Sequence, residues 1–255
     1  MRAFLMLFAA AIALSAPIAA KQAKPDIAAA VAAPGRAAED VKLDEGRKPA
    51  EVLTFMGLQT GDQVADIMAG NGYYSEIMAR AVGAKGHVTA YNPQQFVAGD
   101  DKAGAAWTAL LGRETNVTHQ TYPFEAFAAP ANAYDFVMIH LDYHDLYWES
   151  EKFKVPKTDP AAFLKSLYAS VKPGGIVAVI DHVALPGDTR ATVDKMHRID
   201  PEVVKADFVK AGFVLDGSSD MLRNPADDHS LGVFNPAIRG KTDRFAFRFR
   251  KPKKV

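Results

Sequence analysis

The feature that most constrains this chain is a strict alternation, between residues 63 and 180, of short apolar runs with segments of helical periodicity. Runs of that kind bury their faces together as βαβ units around a parallel sheet. Gln63 to Met68, His87 to Tyr91, Val117 to Gln120, Tyr134 to His140 and Ile176 to Ile180 read as the strands. Tyr74 to Val82, a segment containing Trp107 to Leu111, and Asp159 to Val171 read as the helices between them. The last is the best marked. Asp159 caps it, Pro160 opens its first turn, Phe163, Leu164 and Leu167 form its apolar face, and Lys172-Pro173-Gly174-Gly175 stops it. The run YDFVMIH reads as a buried central strand. Ahead of the series, RKPAEVLTFM predicts a short helix entered at Pro49 and ended by Gly57.

The final third departs from the alternation. Pro201 to Ala211 reads as a helix closed by Gly212, followed by strands at Phe213 to Asp216 and Arg244 to Arg250 with no helix between them. Strands joined in that way pair antiparallel. In RFAFRFR, phenylalanine alternates with arginine, which predicts an edge strand with one solvated face. The expected fold class is therefore α/β: a doubly wound, mostly parallel sheet with an antiparallel end.

The 255 residues, 49% of them hydrophobic and 24% charged, are enough for one substantial core in one domain. Thirty Lys and Arg balance thirty Asp and Glu, so no net field favours phosphate backbones or acidic membranes, and nucleic acid is not an implied partner. Arg2, an apolar run from Ala3 to Leu14, and the small residues up to Ala20 have the order of a secretory signal peptide. The run is short for a membrane span and is broken at Pro17. Residues 1–20 are thus expected to be removed, giving a soluble periplasmic or secreted protein without stable membrane insertion. Residues 21–43, rich in Ala, Pro and charge, read as a flexible leader to a domain over 44–255. There is no cysteine, which excludes disulfides, thiolate nucleophiles and Cys-ligated metals.

The chemistry-bearing segment is Asp66-Ile67-Met68-Ala69-Gly70-Asn71-Gly72-Tyr73-Tyr74, at the turn from the first strand into its helix. Glycines there let a ligand approach the backbone, and open α/β sheets bind ligands at such strand ends. A second cluster follows the fourth strand: His140, Asp142, Tyr143, His144 and Asp145, then Tyr147 and Trp148. Asp142, His144 and Asp145 are candidates for a catalytic base, with Tyr143, Tyr147 and Trp148 as an aromatic wall. Asp181 and His182, ending the fifth strand, should face the same crevice. Together with His140, Asp142 and His144 they could instead bind a divalent cation, but no tight ligand motif is present and no metal is assigned. His197-Arg198 and, later, Arg223 and His229 read as solvated or salt-bridged surface.

With these residues in view, the chain resembles the class I S-adenosylmethionine-dependent methyltransferases, and more narrowly a family of exported predicted methyltransferases. The resemblance rests on RKPAEVL, DIMAGNGYYSEI, GHVTAYNP, YDFVMIHLDYHD, LYASVKPGGIVAVIDH, HRID and TDRFAFRFRKP, spanning about Arg47 to Pro252. It implies a seven-stranded sheet with an antiparallel last hairpin and S-adenosyl-L-methionine as cofactor. The cofactor would lie on Asp66, Met68, Ala69, Gly70, Asn71, Gly72 and Tyr73, with Asn92 at the ribose and a tyrosine face near the sulfonium. Met68 stands where the family pattern has its first glycine, and Asn92 where it has an acidic residue. The functional expectation is methyl transfer to an unidentified acceptor, a small molecule before other classes. The alternative is an exported ligand-binding protein that keeps the fold without catalysis.

Overall fold

The computed structural model describes residues 24–253. The signal-like residues 1–20 lie outside them. The parallel series runs β1 (Gln63–Ile67), α5 (Tyr73–Val82), β2 (His87–Pro93), α7 (Asp101–Arg113), β3 (Val117–Tyr122), β4 (Tyr134–His140), α8 (Pro160–Ser170) and β5 (Val171–His182). Two shorter helices, α9 (Thr189–Met196) and α10 (Pro201–Lys210), then lead to β6 (Val214–Ser219) and β7 (Arg244–Arg250). A single turn of helix, α6 (Gln94–Val97), follows β2. The seven strands are ordered β3-β2-β1-β4-β5-β7-β6, with β7 antiparallel to both neighbours. This is the doubly wound, seven-stranded sheet with an antiparallel last hairpin.

Alternate residues of each strand serve opposite layers, because successive side chains leave a strand on opposite faces. Val137 and Ile139 of β4 join α8 and α10 through Phe163, Leu164, Leu167 and Phe208. Phe136 and Met138 join Val52, Leu53 and Met56 of α4 (Pro49–Met56), Ile77 of α5 and Trp107 of α7. Both faces of β4 are therefore closed, which is why its sequence is apolar rather than alternating. No described helix is long and apolar enough to cross a membrane.

Three details differ from the sequence reading. Residues 27–47, expected to begin as a loose leader, form three short helices, α1 (Ile27–Ala32), α2 (Ala38–Val41) and α3 (Asp44–Arg47). Ile27 and Ala30 are buried, and Arg36 pairs with both carboxylate oxygens of Asp44 at 2.7 and 2.8 Å. Small alanines let α1 lie close to its neighbours, and the ion pair ties the segment down. Second, Lys172 to Gly175 belong to an irregular start of β5, where the register slips between Tyr134↔Val171 and Phe136↔Ile176. Third, β7 is not the edge strand. It runs between β5 and β6, and its arginines find protein oxygens in place of water: Arg248 donates to Phe55 O at 2.6 Å and Arg250 pairs with Asp216 at 2.6 Å. The edge at this end of the sheet is β6, whose Val214 and Leu215 face solvent.

Candidate functional site

The turn after β1 is built as an anchored clasp. Met68 takes a left-handed φ of 56° and buries its side chain in the α8/α10 layer. Gly70 and Asn71 are exposed, and a Cβ built at Gly70 would meet nothing within 4 Å. Gly72 is different: its φ is 89°, and a Cβ there would lie 2.5 Å from Leu110 Cδ1 and 3.1 Å from the Trp107 ring. Gly72 is thus a packing glycine beneath the turn, and only Gly70 leaves room for a ligand.

The other residues assigned to the cofactor are largely engaged within the protein. The Asn92 amide accepts from Gly70 N at 2.9 Å, donates to Gly70 O at 2.8 Å and lies 3.1 Å from His119 Nε2. Both of its polar atoms are used, so no free amide faces a ribose. Trp107 Nε1 also donates to Gly70 O, and its ring stacks on His119 at 4.0 Å. Asp66 is buried and accepts from Ser75 Oγ at 2.6 Å; burial pushes its pKa up to about 7. The Tyr73 hydroxyl donates to Asp44 at 2.6 Å, while Arg47 stands 4.2 Å from its ring centroid. Tyr73 therefore offers its face to an arginine of this chain and not to a sulfonium. Tyr74 is buried edge-on to His140 at 4.7 Å. Ala69 is half-buried, and its N–H donates to Tyr91 O.

The second cluster does converge. In register, Ile67 of β1 faces Ile139 of β4, and His140 of β4 faces Ile180 of β5. The turn at 68–72, the loop at 141–145 and the end of β5 therefore leave the sheet side by side. A short 3-10 turn over Tyr143–Tyr147 carries His144 and Asp145. Asp181 holds His144 from both ends: its Oδ2 accepts His144 N at 2.8 Å and its Oδ1 lies 2.8 Å from Nδ1. The opposite ring nitrogen, Nε2, lies 3.3 Å from Asp145 Oδ1, a charge contact without hydrogen-bond geometry.

These contacts set the charges. Burial opposes the imidazolium, but Asp181 and Asp145 outweigh it and hold the His144 pKa at about 9. Asp145 is raised to about 6, by burial before anything else, with His144 opposing. Asp142 is raised well above the carboxylate range, by burial and then by Asp145. Burial and mutual repulsion thus push both carboxylates toward their protonated forms, Asp142 the more strongly, while the surrounding carboxylates hold His144 toward its charged form. Of the expected candidate bases, His144 is held toward its charged form, and Asp145 has its pKa nearest neutrality among the carboxylates of the cluster.

These three residues floor a cavity of about 840 Å³. Its walls come from the segment around Arg47, from His182 and His197, and from the β6–β7 connection near Met221, Phe234, Arg239 and Arg244. Tyr143 is not part of it. That ring is fully buried, and its hydroxyl donates to Asp207 at 2.9 Å, sharing the carboxylate with Tyr147 at 2.5 Å. Of the expected aromatic wall, Tyr143 and Tyr147 therefore turn to Asp207 of α10, while Trp148 packs on Phe153 and on His197 at 5.0 Å. His197, at a left-handed φ of 50°, lines the cavity; burial first, then His144, depress its pKa to about 4. Arg198, expected as solvated or salt-bridged surface, is salt-bridged to Asp227 at 2.9 Å, but the pair is enclosed and not at the surface. His182 lines the cavity, with Nδ1 2.7 Å from Thr242 Oγ1. Among the described residues no three His, Asp or Glu side chains are grouped to hold a metal ion.

Sequence reasoning missed the basic wall, whose residues lie about two hundred positions apart and share no local pattern.

No family model matches the chain, and no curated protein matches it significantly. Solved structures do. An S-adenosylmethionine-dependent methyltransferase from Aquifex aeolicus superposes with a TM-score of 0.56 at 21% identity, over 84% of this chain and 97% of the other. A second from Mesorhizobium loti gives 0.57 at 14%, over 82% and 99%. The cyclase SpnF gives 0.55 at 18%, over 86% and 84%. Likeness at these identities is likeness of fold, and one of the three bears the name of a different reaction. With its strand order and antiparallel β7, the chain has the class I S-adenosylmethionine-dependent methyltransferase fold.

Proposed function

We propose that the chain is an S-adenosylmethionine-dependent methyltransferase acting on a small molecule held in the strand-end cavity. One observation carries the reading: the exposed turn ending β1 and the Asp142–Asp145 loop ending β4 leave register-matched neighbouring strands. A donor resting on the first and an acceptor on the second are brought together by the sheet itself. The open space over Gly70 fits a close approach of ligand to backbone. Gly70 and Asn71 would hold the cofactor, with Asn92 once it exchanges its clasp on Gly70. When bound, S-adenosylmethionine supplies an electrophilic methyl group.

The chain's own residues would handle the proton. Asp145, ionised at neutral pH, accepts it from the acceptor's nucleophilic atom. His144, charged and fixed by Asp181, keeps Asp145 in place and offsets its charge. Asp142, pushed toward its protonated form by burial and by Asp145, is suited to donate a hydrogen bond to the acceptor. The signal-like residues 1–20 support a periplasmic or secreted setting for this work.

A second reading, the fold kept for ligand binding without catalysis, is favoured by the Asn92–Gly70 clasp and by the buried Met68 side chain. Calorimetric titration with S-adenosylmethionine separates the two. The wild type should bind, and Gly70→Asn should not, because asparagine tolerates a left-handed φ yet fills the open space. A folded wild type that gives no binding heat assigns the protein to the second reading.

A further inference from the structure

The basic wall of the cavity has no use in the proton chemistry just described. Arg244, at the start of β7, is 4% exposed and lines the cavity. Each of its guanidinium nitrogens donates to a neutral oxygen: Nε to Thr242 Oγ1 at 3.1 Å, Nη1 to Gly46 O at 3.1 Å and Nη2 to Gly240 O at 2.8 Å. Among the described residues it has no carboxylate partner. The charge that acts on it most is another cation, Arg47, which lines the same cavity. Arg47 makes no salt bridge among the described residues either, although Asp40 and Asp44 lie within its electrostatic reach. Lys42, Arg239 and Lys241 add three further cations to the wall, all without ion pairs among the described residues.

A buried positive charge held only by neutral oxygens beside a second positive charge is costly, and an anion between them removes the cost. Tyr74 Oη and His140 Nε2, which do not line the cavity, are buried without hydrogen-bond partners, and both groups lie in the field of Arg47 and Arg244. Protein interiors satisfy such atoms with protein, water or ligand.

We infer that the Arg47–Arg244 wall binds the carboxylate or phosphate group of a small molecule, so that the cavity accepts an anionic substrate whose reacting end lies toward Asp145 and His144. The choice of substrate class rests on this cavity being the acceptor site; the anion site itself does not require methyl transfer. Arginine suits this role, because its planar fork matches the oxygen spacing of carboxylate and phosphate.

The test titrates the purified chain, at low ionic strength and without any methyl donor, with inorganic phosphate, with succinate and with choline as a cationic control, read by calorimetry and amide chemical shifts. Saturable binding of phosphate or succinate is expected, with shifts at residues 42–48 and 240–244. Arg47→Gln should weaken it about tenfold or more, the size of one charge-assisted hydrogen bond. Lys85→Gln, exposed and outside the cavity, should leave it unchanged. Arg244→Gln should act like Arg47→Gln; because Arg244 is buried and could be needed for folding, the half-buried Arg47 carries the decision. The stronger of phosphate and succinate identifies the anionic group. Absence of saturable anion binding, binding insensitive to Arg47→Gln, or preference for choline would each overturn the inference. Because no methyl donor is present, these outcomes are separate from whether S-adenosylmethionine binds.

Discussion

The carboxylate of Asp181 grips His144 twice, taking the backbone N–H on one oxygen and facing the imidazole with the other, both at 2.8 Å. The same Oδ1 also accepts His182 N at 2.7 Å, so the ends of β4 and β5 are joined through one side chain. Ring orientation and ring charge thus have a common origin.

Asp181→Asn keeps the shape and removes the charge. The His144 pKa should fall from about 9 toward or below its ordinary value, because burial then acts with less opposition. Breaking a buried pair of this kind should also cost about 3 kcal/mol of stability. NMR titration of the imidazole and denaturant unfolding read the two effects; an unmoved titration midpoint would show that Asp181 does not set the charge.

Stability should depend on pH through the same residue. The folded-state pKa of His144 is raised to about 9, above its ordinary value, so its contribution is complete below about pH 6.5 and disappears as pH rises through 9. The loss is on the order of 3 kcal/mol. In His144→Gln the decline between pH 7 and 10 should flatten. An equally steep decline in the variant would assign it to other groups.

The clasp at the glycine turn predicts the effect of restoring an acid. Asn92→Asp loses the bond donated to Gly70 O and sets a carboxylate against that carbonyl, which should lower stability by about 1–3 kcal/mol. If the displaced carboxylate turns toward a ribose, S-adenosylmethionine should bind more tightly. Thermal unfolding with and without the cofactor measures both, and a variant as stable as the wild type would refute the clasp.

Two glycines a single residue apart should respond unequally. Gly70→Ala carries only the strain of a left-handed alanine, about 1–2 kcal/mol. Gly72→Ala adds a collision with Leu110 and Trp107, and overpacking of this kind costs about a further 1–3 kcal/mol. Equal melting temperatures for the two variants would contradict the packing described.

Much of the sheet was legible because strand and helix periods differ and because Tyr134 to His140 has the closed pattern of a strand covered on both faces. The convergence of Asp142, His144, Asp145, Asp181 and His182 followed from their places at strand ends. What escaped was long-range pairing. RFAFRFR reads as half-solvated because nothing local shows that Arg248 will reach Phe55 O or that Arg244 will reach Gly46 O. The intramolecular partners of Asn92 and Gly72, namely Gly70, His119, Trp107 and Leu110, left no local signal because they are brought in by folding. Ion pairs such as Arg36–Asp44 ordered a leader whose composition pointed to disorder.

The place of β7 inside the sheet has a consequence for the order of assembly. β5 cannot acquire its second neighbour, nor β6 its only one, until residues 244–250 have been synthesised. The cavity wall is joined across the same gap, since Arg244 meets the carbonyl of Gly46. A ribosome must therefore release the residues up to about 250 before the cavity can close, and a polypeptide stopped short of β7 would carry an open sheet edge and an unfinished cavity wall.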